Sequence, residues 1–193
     1  MPRPDRAAAE AEPTAQKLLK AAMAEFNAHG FSGTDTNRIA RRAGFAPQTF
    51  YRWYADKTAI FIAAYRLWED EERAMLRGLI AERAPVEAMV DAAIGHHRRY
   101  LLFRRSLRQL SLENPSVRQA RAESRLRQVE WLRASARRPE LDLADLTARL
   151  FQLERLSDAI AEGELADMGL ADGPARAAMS AILAGLRPDG AAP

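Results

Sequence analysis

The chain contains no cysteine, which excludes disulfides, thiolate metal sites and a cysteine nucleophile, and suits a reducing compartment. Histidine is scarce as well: only His29, His96 and His97 are present. His96 and His97 are adjacent, so on a helix they project about 100° apart and cannot hold one ion as an i, i+4 pair does. With no His-Glu metal motif and no phosphate-binding glycine loop, neither catalysis nor a bound metal or cofactor is expected. The longest apolar run, Ala59 to Tyr65, falls far short of the ~20 residues that span a bilayer. The opening MPRPDRAAAEAEP lacks the apolar core of a signal peptide, and the expectation is a soluble, cytoplasmic protein without a membrane partner. Alternating strand patterns, low-complexity runs and internal repeats are absent too.

What is there is helical periodicity. Hydrophobic residues make up 48% of the 193 and charged residues 28%, enough apolar material for a core in a chain of ordinary charge. Residues 1–13, with three prolines, read as a disordered arm, and 189–193 as a tail. A helix from Thr14 to His29 buries Ala15, Leu18, Leu19, Ala22, Met23 and Phe26 at helical spacing and stops at Gly30. Further helices are expected from Lys57 to Leu79, from Pro85 to Arg105, from Pro115 to Arg137, after Asp142 and after Asp172. Asp56, Asn114 and Asp142 are their caps. The expectation is an all-α chain of about nine helices.

Between Thr34 and Lys57 the pattern is more specific. Thr34 can cap a short helix with Ile39, Ala40 and Ala43 on one face, Gly44 supplies a left-handed stop, and Phe45 plugs the corner. Pro47 sits at the first position of a second short helix carrying Gln48, Thr49, Tyr51, Arg52 and Trp53. Two short helices around a glycine turn form a helix-turn-helix, and the second helix is rich in hydrogen-bonding and aromatic side chains. Residues 32–57 carry Arg38, Arg41, Arg42, Arg52 and Lys57 against Asp35 and Asp56, a modest basic footprint suited to double-stranded DNA. Residues 14–60 are accordingly read as a DNA-binding domain and 61–188 as a second, helical domain.

With these residues in view, the stretch from Leu18 to Phe61 resembles the TetR family of bacterial transcriptional repressors. The matched elements are His29-Gly30-Phe31, Thr34, Ile39-Ala40, Ala43-Gly44-Phe45, Thr49-Phe50-Tyr51, Tyr54 and Lys57, in order and at the family's spacing. The resemblance implies a repressor that binds a pseudo-palindromic operator as a homodimer, with a four-helix bundle made by the last two helices. Leu153, Leu156, Ile160, Met179, Ile182, Leu183 and Leu186 are the interface candidates. It also implies release of DNA when a small-molecule effector fills a pocket among the central helices. An activator or architectural DNA binder without an effector is the alternative. Thr49, Tyr51, Trp53 and Lys57 match positions that touch phosphates, with the hydroxyls of Thr34 and Thr36 beside them. Gln48 can bridge adenine N6 and N7, Arg38 or Arg52 guanine O6 and N7, and Pro47 can meet a thymine methyl; Asn37 is a further candidate reader. Three positions depart from the family: Asp35 for a second threonine that meets phosphate, Ala46 for a serine cap, and Thr36 for a valine.

The second domain has an uneven charge. Residues 98–138 carry twelve arginines against Glu113, Glu123 and Glu130, whereas residues 140–172 carry nine acids against Arg149 and Arg155. Neutralisation between neighbouring helices is one reading, and an anionic effector selected by Arg99 or Arg127 is the other. Trp68, His96, His97, Tyr100, Phe103, Arg127, Trp131 and Phe151 are the candidate pocket residues, each equally at home in a core.

Overall fold

A computed structural model describes residues 4–136 and 140–186. Its described residues form ten helices and no strand: α1 (Pro4–His29), α2 (Thr36–Arg42), α3 (Pro47–Tyr51), α4 (Lys57–Ala81), α5 (Val86–Arg99), α6 (Leu101–Glu113), α7 (Pro115–Ala136), α8 (Leu143–Glu162), α9 (Glu164–Asp167) and α10 (Gly173–Ala184). The all-α expectation holds. The chain divides into two compact units, one of residues 1–69 and 102–117, the other of 70–101 and 118–193. The tail expected at 189–193 lies outside the described residues.

The first unit is built on an aromatic centre. Phe61 of α4 meets the edge of Phe26 from α1 at 5.0 Å, Phe31 at 5.3 Å and Phe103 of α6 at 5.0 Å. Leu18, Ala22, Ile39, Ala40, Phe50, Ile60 and Leu107 are all fully buried in this unit. Gly30, at φ 70°, turns the chain after α1; a Cβ there would meet the Ser106 hydroxyl at 3.3 Å, so the left-handed backbone and the close approach both favour glycine. Ser106 Oγ accepts the Phe31 N–H at 3.0 Å and donates to the Leu102 carbonyl at 3.0 Å.

The second unit packs α5, α8 and α10 around Val90, Ile94, Ile160 and Met179, with Leu153, Leu156, Leu165 and Leu183 against them. A second cluster holds Val129, Leu146, Leu150 and Leu186, with Ile182 alongside. Asp142 accepts the Ala144 and Asp145 N–H groups, Asn114 those of Ser116 and Val117, and Asp56 that of Ala59, as the sequence predicts.

Three elements differ from expectation. The helix α1 begins at Pro4 and takes in residues expected as an arm; the alanine- and glutamate-rich composition there has high helix propensity. The helix expected from Pro85 to Arg105 breaks at Tyr100 (φ −113°, ψ 35°), and the stretch beyond forms α6. Apolar periodicity runs straight through that break, so the cause is tertiary. His97 and Tyr100 are held by Glu72 and Glu71, while Phe103 and Leu107 are committed to the first unit's core. The single-turn α9 is additional.

Replacing Phe61 by alanine empties the centre of the aromatic cluster and should cost about 3–5 kcal/mol. Urea denaturation followed by circular dichroism checks it, the midpoint falling accordingly.

Candidate nucleic-acid interface

The residues from Asp35 to Lys57 fold as a helix-turn-helix, but the cap differs from the one expected. Asp35, not Thr34, caps α2: its carboxylate accepts the Arg38 N–H at 2.8 Å. The carboxylate that looked misplaced beside phosphate is thus a helix cap. Thr34 is buried, and its hydroxyl donates to Glu25 at 3.0 Å, so it cannot reach DNA without leaving that bond. Gly44, at φ 80°, makes the turn; Pro47 opens α3; Ala46 gives no side-chain cap.

The outward side chains of the pair are few. Asn37, Arg41, Gln48 and Arg52 are exposed, and Tyr51 is 59% exposed. Gln48 stands three residues before Tyr51 and four before Arg52, which places the three along one flank. Thr36 Oγ1 and Tyr51 Oη share a hydrogen bond of 3.0 Å that ties the start of α2 to the end of α3. Thr36 is thereby given a partner that the family's valine would lack. Pro47 and Thr49 are half-buried, and Trp53, 38% exposed, lies beyond the end of α3 with Arg52. Phe50 is core, and the Tyr54 hydroxyl donates to the Ala15 carbonyl at 3.5 Å.

Lys57 and Arg38 turn out to have internal partners. The Lys57 ammonium donates to the carbonyls of Phe31 (2.9 Å) and Thr34 (3.1 Å) and sits 4.1 Å from the centre of the Phe31 ring. Burial pulls its pKa below the usual lysine range, with Asp35 opposing the shift. Arg38 Nε lies 3.4 Å from Glu25 Oε2, and Arg42 Nη1 donates to Glu25 Oε1 at 3.0 Å. The hub of the site is therefore Glu25, a residue that sequence reasoning missed. The signal was present: Glu25 falls in register with Leu18, Ala21 and Ala22 on the buried stripe of α1, where a carboxylate needs partners.

The pocket candidates do not converge. Trp68 and Phe103 are buried in the first unit, with the Arg104 guanidinium 4.5 Å from the Trp68 ring. The other six belong to the second unit. His97 Nδ1 is 2.8 Å from Asp158 and Nε2 is 3.3 Å from Glu72. An imidazole that faces carboxylates with both nitrogens donates to both only when doubly protonated, which makes it a tie between α4, α5 and α8. His96 is buried edge-on to Tyr100, whose hydroxyl donates to Glu71 at 2.7 Å. Burial and that carboxylate push the Tyr100 pKa up to about 12. Arg127 is exposed, Trp131 has Arg77 at 6.0 Å, and Phe151, 45% exposed, lies under Arg125 at 4.4 Å. Part of the arginine excess is neutralised between helices, as Arg121 and Arg125 of α7 share Glu154 of α8 at 3.4 and 2.5 Å.

The interface candidates lie on the chain's own apolar clusters. Ile160, Met179 and Leu186 are buried within the chain, and Leu153, Leu156, Ile182 and Leu183 pack on the same clusters. Apolar periodicity finds the face a helix turns to its own core, whereas a partner-facing stripe can be small or polar.

An all-helical chain whose N-terminal unit holds a capped helix-turn-helix with an exposed polar flank has the form of a DNA-binding protein. Residues 18–64 match the family model for bacterial regulatory proteins of the tetR family. It is 33% identical over 67 residues to the HTH-type transcriptional regulator YdgC of Bacillus subtilis, covering 35% of this chain and 34% of that protein. It is 31% identical over 85 residues to the HTH-type transcriptional regulator UidR of Escherichia coli, covering 44% and 40%. The match thus spans about a third to two-fifths of these relatives. Over nearly the whole length the fold is similar to that of a Rhodococcus sp. protein assigned to the TetR family (TM-score 0.68, 18% identity, 91% of this chain and 98% of that one). It is also similar to a Saccharomonospora viridis protein assigned as a transcriptional regulator and solved with choline (TM-score 0.59, 17% identity, 88% and 94%).

Two expectations follow. The Glu25 pKa is lowered: burial raises it, but Thr34, Arg42, Arg38 and His29 together outweigh burial. A depressed carboxyl stabilises the fold above its unfolded value of 4.5, and that contribution is lost as pH falls through the folded value. Glu25→Gln should therefore cost about 1–3 kcal/mol at neutral pH and flatten the acid limb of a stability–pH profile. Lys57→Met should lower the melting temperature in a thermal scan, because the lysine bonds the Phe31 and Thr34 carbonyls and holds their loop.

Proposed function

We propose that the protein is a transcription regulator that binds double-stranded DNA through α2 and α3 and represses from a pseudo-palindromic operator as a homodimer. The observation that carries this reading is the exposed flank of Gln48, Tyr51 and Arg52 on a helix-turn-helix, with Asn37 and Arg41 also exposed and Thr36 and Arg42 held by internal hydrogen bonds. Gln48 can read adenine and Arg52 guanine, while Tyr51 donates to phosphate, so contacts that position and contacts that specify lie side by side. In a dimer the two reading helices would address half-sites about one turn, ~34 Å, apart.

The dimer reading has a physical basis in the outward faces of α8 and α10. Ala177, Ala178, Ala181 and Ala184 of α10 and Ala148, Phe151 and Gln152 of α8 are exposed. Small side chains beside one aromatic ring allow two helix pairs to approach closely. Release of DNA by a small-molecule effector belongs to the same proposal; the choline held by the Saccharomonospora viridis protein is a precedent for ligand binding on this fold.

A gel-shift titration on the DNA upstream of the protein's own gene tests the proposal, with salt-sensitive binding preferred over random duplex as the expected result. Equal affinity for both would remove the specific reading. Gln48→Ala should lose about 1–3 kcal/mol of discrimination at the base it reads while leaving binding to random duplex nearly unchanged.

A further inference from the structure

The second unit contains a cleft of about 350 Å³ bounded by the end of α5, the end of α8, α9 and the start of α10. None of the pocket candidates read from the sequence lines it. Its walls are mostly apolar, with Ile160, Leu165 and Leu170 among them, and its polar side chains are Arg98 and Asp172. We propose that this cleft binds a small organic monoanion, a carboxylate on a short apolar body.

Charge decides the class of ligand. Asp172 is held by Arg176, whose Nε donates to it at 2.8 Å and whose Nη1 bonds Asp91. Arg155 is engaged by both carboxylate oxygens of Glu164. Arg98 is exposed and has no ion-pair partner among the described residues. A guanidinium matches a carboxylate with two parallel N–H groups, and one beside apolar walls gains most from an anion that also has an apolar body. The Asp172 charge at the same cleft disfavours a second negative charge, which selects a monoanion over a phosphate dianion.

Shape points the same way. Gly163 and Gly169, at φ 81° and 71°, fold the segment between α8 and α10 back on itself. The Leu170 N–H donates to the Leu165 carbonyl at 2.9 Å, so that segment satisfies its own backbone and needs no ligand to hold its form. Leu170 is nonetheless 58% exposed, apolar surface that a bound ligand would cover. The volume lies at the lower end of the range for small-molecule sites, about 300–1,000 Å³.

The inference stands on the cleft alone and does not depend on the DNA-binding reading. Hexanoate and phenylacetate are titrated into the full chain, with hexan-1-ol and 2-phenylethanol as neutral analogues and hexyl phosphate as the dianion. Calorimetry gives affinities, and methyl NMR locates the site. The expected result is saturable binding of an acid about tenfold tighter than of its alcohol and tighter than of the phosphate. Shifts should centre on Ile160, Leu165 and Leu170, and Arg98→Met should abolish the preference for the acid. No saturable binding of either acid, shifts centred elsewhere, a tighter phosphate, or an unchanged preference in Arg98→Met would each overturn it. DNA affinity is not a readout, so failure here leaves the regulator proposal intact.

Discussion

A carboxylate removed from water must be matched by donors or it protonates, and Glu25 meets that demand with the residues that shape the helix-turn-helix. It accepts from the Thr34 hydroxyl in the loop and from Arg42 at the end of α2, with Arg38 and His29 close by. One side chain on α1 therefore fixes the loop before α2, the rotation of α2 and the position of two arginines. Lys57 completes the arrangement from α4, bonding the carbonyls of Phe31 and Thr34 on either side of the same loop. Phe31 serves twice, as the ring under the Lys57 charge and as a neighbour of Phe61 in the aromatic centre. Polar clip and apolar core thus share a residue, and loosening one disturbs the other.

The second unit answers a similar demand with a different group. His97 lies between Asp158 and Glu72, with Nδ1 2.8 Å from the first and Nε2 3.3 Å from the second. The ties reach α8 on one side and α4 on the other, beside the apolar cluster of Val90, Ile94, Ile160 and Met179. Tyr100, one turn on, is bonded to Glu71, and the chain breaks from helical geometry there. Side chains that resemble ligand-binding groups in a sequence are here the bonds that place α5.

The fold class, the caps at Asp56, Asn114 and Asp142 and the Gly44 turn were legible because local rules determine them: a cap needs an acceptor and a left-handed turn favours glycine. The break at Tyr100 was not, since periodicity continues across it and tertiary contacts impose it. Asp35 reads against the family pattern as a departure, and the local rule that makes aspartate a good cap is the better guide. Ile160, Met179 and Leu186 are buried in the chain's own clusters for a general reason. A strong apolar stripe belongs to the chain's own core before it belongs to a partner, so the outward alanines of α10 drew no notice. Glu25 was overlooked because a lone acid within an apolar stripe reads as noise until its partners are seen.

These placements change how the head's charge should be counted. Five cationic side chains lie between residues 32 and 57, and a count alone would give all five to phosphate. Lys57 is bonded to two carbonyls, and Arg38 and Arg42 share the Glu25 carboxylate, so part of their charge is already neutralised within the fold. Arg41 and Arg52 are exposed and have no ion-pair partner among the described residues. Each neutralised phosphate contributes roughly −0.9 to the slope of log affinity against log salt. With Arg38, Arg42 and Lys57 engaged internally, residues 32–57 would contribute a shallower electrostatic term than their composition suggests. A larger share of any affinity must then come from directional groups: the Gln48 amide, the Tyr51 hydroxyl braced by Thr36, and the Arg52 fork. Such groups depend on geometry rather than charge, which is why the internal commitments of Glu25 and Lys57 matter to a face that neither of them occupies.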